Sequence, residues 1–486
     1  MINTVVIILT FLIIKIYTKL IILMSRPVKN TILQGVKQPL PMRREGAFAA
    51  APARGLPGTP RSRAQGVSRA SPGAARTHSW LAPFLLFDYN ETKYVLPETA
   101  RLKNADSPGG KRKHMLKNCE CHVNEEQILK DWEALHQIPE VGFQEVKTSA
   151  YLRKRLEELG FCVESIAGTG LLARLDGAEE GPAVGLRADI DALSFPNEDG
   201  SVFYKHACGH DAHMAMVLGA GEAIIRRGIR KGRLYLLFQP AEETGGGAAK
   251  VLECGLPHMD ALFGMHLRPG AETGLGKAAA KLIHQSSIHM NVQFRGKAAH
   301  GARPFLGHNA LSAAAYTVVK IDELKLDTDM SWSAKATNCD CHGNLGNVIP
   351  ENCTLVLDIR AFTNELGDRL IEEALKIINA GCEKFGCSMT YEMTRTYAGE
   401  FDEAVAEKAK EAIEEVYGVC EEPIYTLGGE DFHIYYVVGK IPTAYMGLGA
   451  ALEPGLHARD MEFDHSCMKD GAEIFYRAAA KYIEIG

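Results

Sequence analysis

Leu234-Tyr-Leu-Leu-Phe-Gln-Pro-Ala-Glu-Glu-Thr-Gly-Gly-Gly247 is the stretch from which the fold of this chain is read. Five apolar residues in a row, followed by a proline, two carboxylates and three glycines, form a buried strand ending in a sharp turn. A strand apolar on both faces belongs inside a sheet covered by helices. The neighbouring stretches agree with this. Ala183-Val-Gly-Leu-Arg187 and Ala261-Leu-Phe-Gly-Met265 read as strands, while Ala212 to Arg227 and Gly247 to Glu253 read as helices. Upstream, Glu125 to Leu135 and Glu145 to Leu159 are helical, the second ending at Gly160 as a C-cap. Alternating strands and helices predict an α/β class: a mostly parallel sheet with helices on both faces. Functional residues then collect at the carboxyl ends of the strands.

The texture changes between about 285 and 395. Ile288 to Phe294 and Thr354 to Ile359 alternate like half-exposed strands, and Asn309 to Ile321 and Ile371 to Phe385 are helical. This predicts a small inserted α+β domain with an antiparallel sheet. The catalytic domain is then 119–284 and 396–486, resuming through helices at Ala404 to Tyr417 and Asp470 to Tyr482.

Residues 1–118 read differently. They hold 19 of the 54 basic residues but 5 of the 60 acidic ones, leaving 35 basic and 55 acidic in the rest. Positions 37–75, rich in Ala, Pro, Gly, Arg and Ser, have no apolar periodicity and predict a poorly ordered basic extension. An upstream-extended reading frame, with the start near Met115, is the alternative expectation. The apolar segment 5–24 is long enough for a membrane anchor, but Lys15 and Lys19 interrupt it. A central lysine costs about 2.5–3.5 kcal/mol on insertion. The expected location is therefore cytoplasmic, with anchoring through 5–24 as the alternative. Without aromatic interleaving or a reading module, the basic excess does not point to nucleic acid. All 12 cysteines lie from Cys119 onward, scattered through a core-forming sequence, which predicts reduced thiols rather than a disulfide framework.

The densest cluster of potential ligands is His206-Ala-Cys-Gly-His-Asp-Ala-His213. Cys208 and His210, two apart in a turn between strand and helix, can face one cation, and thiolate with imidazole suits zinc. His206 and His213 are expected to support rather than ligate, since one turn rarely supplies four ligands. Glu-Glu pairs are common on solvated surfaces. At the end of a buried strand, however, one of Glu242 and Glu243 can ligate while the other manages a water proton. The glycines lack phosphate-loop spacing and follow carboxylates that would repel phosphate. His266, ending Gly264-Met-His266, and His457, in Pro454-Gly-Leu-His-Ala458, complete enough donors for one or two metals.

These stretches, in this order, resemble the metallo-amidohydrolase peptidase family that includes aminoacylase and glutamate carboxypeptidase. Residues 122–486 are most similar to its branch of hippurate hydrolase, auxin-conjugate hydrolases and N-acetyldiaminopimelate deacetylase. Further matches are His136-Gln-Ile-Pro-Glu-Val-Gly-Phe-Gln-Glu145, Gly185-Leu-Arg-Ala-Asp-Ile-Asp-Ala-Leu193, Gly296-Lys-Ala-Ala-His-Gly301, Asn347-Val-Ile-Pro350, Ile359-Arg-Ala-Phe362 and Gly429-Glu-Asp-Phe432. The resemblance implies hydrolysis of the amide bond of N-acyl amino acids at two divalent metal ions. Zinc is the expected metal, with manganese, cobalt or nickel as alternatives. It implies Cys208, His210, Glu243, His266 and His457 as ligands, Glu242 as general base and Asp191 as an orienting residue. His300 would stabilise the oxyanion across a homodimer, and Asn347 and Arg360 would hold the substrate carboxylate. The inserted domain would then be a ferredoxin-like dimerisation and lid domain.

Two places depart from the family pattern. Leu193-Ser194 stands where Leu-Pro is usual, and His457-Ala-Arg-Asp460 lacks the usual Ser/Thr-Pro. A non-catalytic member of the same fold, or a membrane protein defined by its anchor, are the competing readings.

Overall fold

The computed structural model describes residues 121–341 and 346–486. The expectations for 1–118, including segment 5–24, lie outside the described residues. Among the described residues, no helix is long and apolar enough to cross a membrane.

Two helices come first among the described residues, α1 (Glu125–His136) and α2 (Val146–Leu159), the second closed by Gly160 at φ 97. Strands β1 (Cys162–Ile166), β2 (Gly170–Asp176) and β3 (Glu179–Asp189) lead to a hairpin of β4 (Leu193–Pro196) and β5 (Val202–Lys205). Then come α3 (His210–Arg227), β6 (Ile229–Gln239), α4 (Gly247–Cys254), β7 (Ala261–Pro269), β8 (Ala278–Ala279) and β9 (Leu282–His284). The next segment holds β10 (Ser286–Arg295), β11 (Ala299–His300), α5 (Ala310–Asp322), β12 (Trp332–Asp340), β13 (Val348–Ile349), β14 (Asn352–Ala361), α6 (Asn364–Phe385) and β15 (Ser388–Thr396). The chain ends through α7 (Glu403–Tyr417), β16 (Ile424–Thr426), α8 (Ile434–Val437), β17 (Thr443–Leu452), α9 (Cys467–Ala479) and β18 (Glu484–Ile485).

The large sheet runs β1-β2-β6-β3-β7-β17-β8, with β18 beside β6. It is parallel through β6, β3, β7 and β17 and antiparallel at its margins. The unbroken apolar run in β6 follows from burial on both faces. Leu234, Leu236 and Phe238 join the core under α1, α3, α7 and α9, whereas Tyr235 and Leu237 join the one under α4 and α8. Neither face can accept polar alternation, so the strand reads as continuous hydrophobicity.

The inserted segment forms a separate four-stranded antiparallel sheet, ordered β12-β14-β10-β15. With α5 and α6 this is a β-α-β-β-α-β plait of ferredoxin-like topology. Only one face is covered. Ile288, Met290, Val292 and Phe294 pack with Leu355, Leu357 and Ile359 beneath the helices, and His289 and Arg360 point the other way. Asn309 caps α5 by accepting the Ser312 N–H, as expected of an Asn before a helix.

Candidate metal centre

The chemistry gathers where the parallel strands end. Strand β3 delivers Asp189 and Asp191, β6 delivers the Pro240–Gly247 turn, β7 carries His266, and the loop after β17 carries His457. Cys208 and His210 stand at the start of α3, where Gly209 has φ 86. A Cβ there would lie 3.0 Å from Leu267 Cδ1 in a left-handed backbone, so only glycine lets the turn press against β7. The glutamate turn is equally tight. A Cβ on Gly247 would fall 1.7 Å from the Pro240 carbonyl oxygen. Ala241 is held at φ 55 by its N–H donating to the buried Glu145 carboxylate at 2.9 Å.

Backbone carbonyls fix the tautomers of two histidines. His210 Nδ1 donates to the Asp191 carbonyl (2.9 Å) and His266 Nδ1 to the Leu267 carbonyl (2.7 Å). Each ring therefore presents a bare Nε2 to the same space, the usual preparation of a metal-binding imidazole. His266 Nε2 and His457 Nε2 both lie 3.4 Å from Cys208 Sγ. His457 Nε2 is 3.4 Å from Glu243 Oε2, and His210 Nε2 is 3.8 Å from Glu243 Oε1. His457 is held at φ 64, anchored by its N–H to the Ala207 carbonyl at 2.8 Å. Strained backbone of this kind persists where surrounding contacts over-determine it.

The five donors expected from the sequence thus converge. Two of their atoms, His210 Nε2 and Glu243 Oε1, are buried without a hydrogen-bond partner. Orphaned buried acceptors facing one space fit a cation. The charge balance fits too. Asp189, Asp191, Glu430 and Asp431 are each at most 3% exposed. With Glu242 and Glu243 they make six carboxylates in one linked cluster: Asp189, Glu430 and Asp431 meet the guanidinium of Arg187, and Asp191, Glu242 and Glu243 lie about His210. Uncompensated buried carboxylates are costly, and cations in their midst offset that cost.

Glu242 and Glu243 are held through their backbones. Both N–H groups donate to Asp191, Glu242 to Oδ1 at 3.1 Å and Glu243 to Oδ2 at 3.0 Å. Burial, then the charges of Glu430, Glu243 and Asp431, pushes the Glu242 carboxyl well above the ordinary carboxylate range. Burial also raises the Cys208 thiol, with Glu243 adding to it. A bound divalent cation reverses that logic and favours thiolate and carboxylate.

His213 has both ring nitrogens engaged. Its Nε2 accepts from the Leu267 N–H at 3.1 Å and its Nδ1 donates to Asp189 at 2.7 Å. It supports the site, while His206 is buried with neither nitrogen partnered. Asp189, Arg187, Glu430 and Asp431 were not assigned roles from the sequence, although a signal existed. Arg187, Asp189 and Asp191 repeat at steps of two off an apolar strand, which marks one charged stripe. Arg187 donates to Asp189 (2.6 Å), Asp431 (3.2 Å) and Gln239 (2.9 Å), and Tyr445 donates to Glu430 (2.6 Å). Burial, with Glu430 beside it, pushes Asp431 up to about 8.

The cleft over these groups encloses about 500 Å³, room for a small ligand. Its far wall is the uncovered face of the small sheet, with Arg360, His289 and Thr394. Arg360 already spends one bidentate edge on Asp358, at 2.8 Å through Nε and 2.8 Å through Nη2. His300 and Asn347 are not among the lining residues. They are exposed and adjacent, with β11 pairing β13 and the Gly301 N–H donating to the Asn347 carbonyl at 2.7 Å.

The chain is similar to known proteins over most of its length. The chain is 32% identical over 348 residues to an N-acetyldiaminopimelate deacetylase of Streptococcus suis, covering 67% of this chain and 90% of the relative. It is 28% identical to an N-acetyl-L-cysteine deacetylase of Bacillus subtilis, over 74% of this chain and 89% of that one. Among solved structures, a dinuclear metal-binding peptidase of Bacillus subtilis superposes with a TM-score of 0.61 at 26% identity. That match covers 74% of this chain and 98% of the other. The sequence pattern of peptidase family M20/M25/M40 spans residues 185–481, and this chain belongs to that family.

Proposed function

We propose that the protein hydrolyses the amide bond of N-acyl amino acids, with Cys208, His210, Glu243, His266 and His457 holding two divalent cations. The observation that carries this reading is the convergence of bare, buried His210 Nε2 and Glu243 Oε1 with Cys208 Sγ in one cleft. The deacetylase relatives support the substrate class, and the mixed S/N/O donor set favours zinc. When bound, the cations supply Lewis acidity to the scissile carbonyl and acidify water.

Glu242 accepts a proton from the attacking water as its oxygen bonds to the carbonyl carbon. As the carbon–nitrogen bond breaks, Glu242 returns that proton to the departing amine. Glu242, outside the ligand set, lines the cleft and is free to make both transfers. Asp191 holds the turn so that Glu242 and Glu243 keep separate tasks. Arg360 still has Nη1 for the substrate's carboxylate, the Asp358 pairing fixing the fork's orientation.

A homodimer supplies the remaining groups: a second copy would present its exposed β11–β13 ladder, with His300 and Asn347, to this cleft, whose lining within one chain includes neither residue. Nine free cysteines among the described residues support a reducing, cytoplasmic setting.

The decisive experiment is Glu242→Ala assayed on acetyl-, benzoyl- and indoleacetyl-amino acids and short dipeptides. Metal content should stay at wild type while kcat falls by about 10²–10⁴, the contribution of a general base. Unchanged turnover in that variant refutes the assignment.

A further inference from the structure

The hydrolytic centre leaves one cluster of soft ligands unexplained, on the edge strand of the small sheet. Cys339 lies in β12, Cys341 just beyond it, and Cys353 opposite in β14. The register pairs Asp340 with Thr354 and Cys339 with Leu355, which sets Cys341 directly across from Cys353, with Cα atoms 4.3 Å apart. Cys339, two residues before Cys341, shares its face and brings its Sγ to 3.6 Å from Cys353 Sγ. All three sulfurs lie within 4.8 Å of one another, and they grade from exposed Cys339 through half-buried Cys341 to buried Cys353. Cys341 and Cys353 are joined as a disulfide here.

Geometry and chemistry favour a second role for the open form. Thiolates around one zinc at about 2.3 Å stand roughly 3.8–4.0 Å from each other, the spacing this trio already brackets. The hydrolytic reading needs Cys208 as a reduced thiol, so wherever the enzyme works the half-exposed Cys341–Cys353 bond meets the same reductants. Neighbouring strands hold the three Cβ atoms in place, so little ordering is needed on binding.

We propose that Cys339, Cys341 and Cys353 form, in the reduced chain, a three-thiolate site for a thiophilic divalent cation of the zinc type. Its fourth position opens to solvent on the Cys339 side, and the disulfide is the metal-free, oxidised form of the same site. Binding releases the thiol protons, so occupancy falls on acidification. The site is separate in sequence and in sheet from the hydrolytic ligands; the expectation of a reducing setting rests on the hydrolytic reading, but the thiolate geometry and its Cd(II) test do not.

The test uses the full-length holoenzyme, reduced with a phosphine and given one further equivalent of Cd(II), with alkylation of each cysteine read by peptide mass spectrometry. Labelling of Cys339 and Cys341 should fall together by about tenfold or more, as expected for sulfurs sharing one ion. In Cys339→Ser, at an exposed position, Cys341 should label equally fast with and without Cd(II), while hydrolysis continues at the wild-type rate. Cys353→Ser should repeat that loss of protection. The proposal is overturned if Cd(II) leaves labelling unchanged, or if Cys341 stays protected in Cys339→Ser. Survival of the Cys341–Cys353 bond after a reduction that leaves hydrolysis intact also overturns it.

Discussion

Asp191→Asn isolates the device that keeps the two adjacent glutamates apart in function. In the wild type one carboxylate accepts two backbone N–H groups, from Glu242 at 3.1 Å and from Glu243 at 3.0 Å. The amide keeps one acceptor oxygen and turns an NH₂ toward the other N–H, so one charge-assisted bond is replaced by two donors facing each other. Such a bond is worth about 1.5–3 kcal/mol, and leaving a buried donor unsatisfied adds to the loss. We expect a destabilisation of roughly 2–4 kcal/mol on that basis. Metal affinity should fall by about 10–100-fold, as for other groups that orient ligands.

The informative readout is kcat at saturating metal. Because the N–H clamp positions Glu242 as well as Glu243, turnover should remain about 100-fold down even when the centre is full, the usual consequence of a misplacement near 1 Å. Urea unfolding, metal analysis and turnover across a metal titration measure the three quantities together. Full recovery of kcat at saturating metal would refute the reasoning, since Asp191 would then act on the ligand alone.

Arg187→Met should be more severe for folding than for binding. It leaves Asp189, Glu430 and Asp431 buried without their cation, a loss of about 3–5 kcal/mol by comparison with other broken buried pairs; an unchanged urea midpoint contradicts this. Chelating the metals should lower the thermal midpoint by roughly 5–10 °C, because six carboxylates are left with one guanidinium. A midpoint insensitive to chelator would mean the cluster is neutralised in another way.

A pH effect follows from the buried pair His284 and His433, hydrogen-bonded at 3.1 Å. Burial pushes His433 down to about 3, and burial with His433 beside it holds His284 well below the ordinary value. Both bind protons more readily unfolded, so their stability contribution is complete above about pH 6.5 and is lost as pH falls toward the folded values. The slope is at most about 1.4 kcal/mol per pH unit for each histidine. His433→Asn should flatten unfolding stability between about pH 4.5 and 6.5 relative to wild type, and parallel curves count against the account.

Much of the fold was legible because its signals are local. The run Leu234 to Phe238 is apolar on both faces, so no context is needed to place it inside a covered sheet. Asn309, Gly160 and the alternation of Ile288 to Phe294 likewise announce a cap, a stop and a half-exposed strand. The margins were less visible. Strand β17, which carries the chain to His457, is buried along nearly its whole length but holds three alanines and two glycines, and small residues give a weak strand signal.

The candidate site divides in the same way. Cys208, His210, Glu242 and Glu243 can be picked out in sequence because each lies in a turn, and His266 because it is a lone imidazole in an otherwise apolar run, although β7 continues past it to Pro269. Which nitrogen each histidine offers depends on carbonyls that reach it only in the folded chain, from Asp191 and Leu267. The cluster around Arg187 joins residues as far apart as Arg187 and Asp431, and no local pattern marks charges that meet across strands. The sequence alone determined which residues carry ligand atoms, since that is a property of residue type. Tertiary structure decided which atoms face each other and which are buried unpaired. It also placed His300 and Asn347 together outside the cleft, because pairing and burial depend on chain segments meeting from far apart.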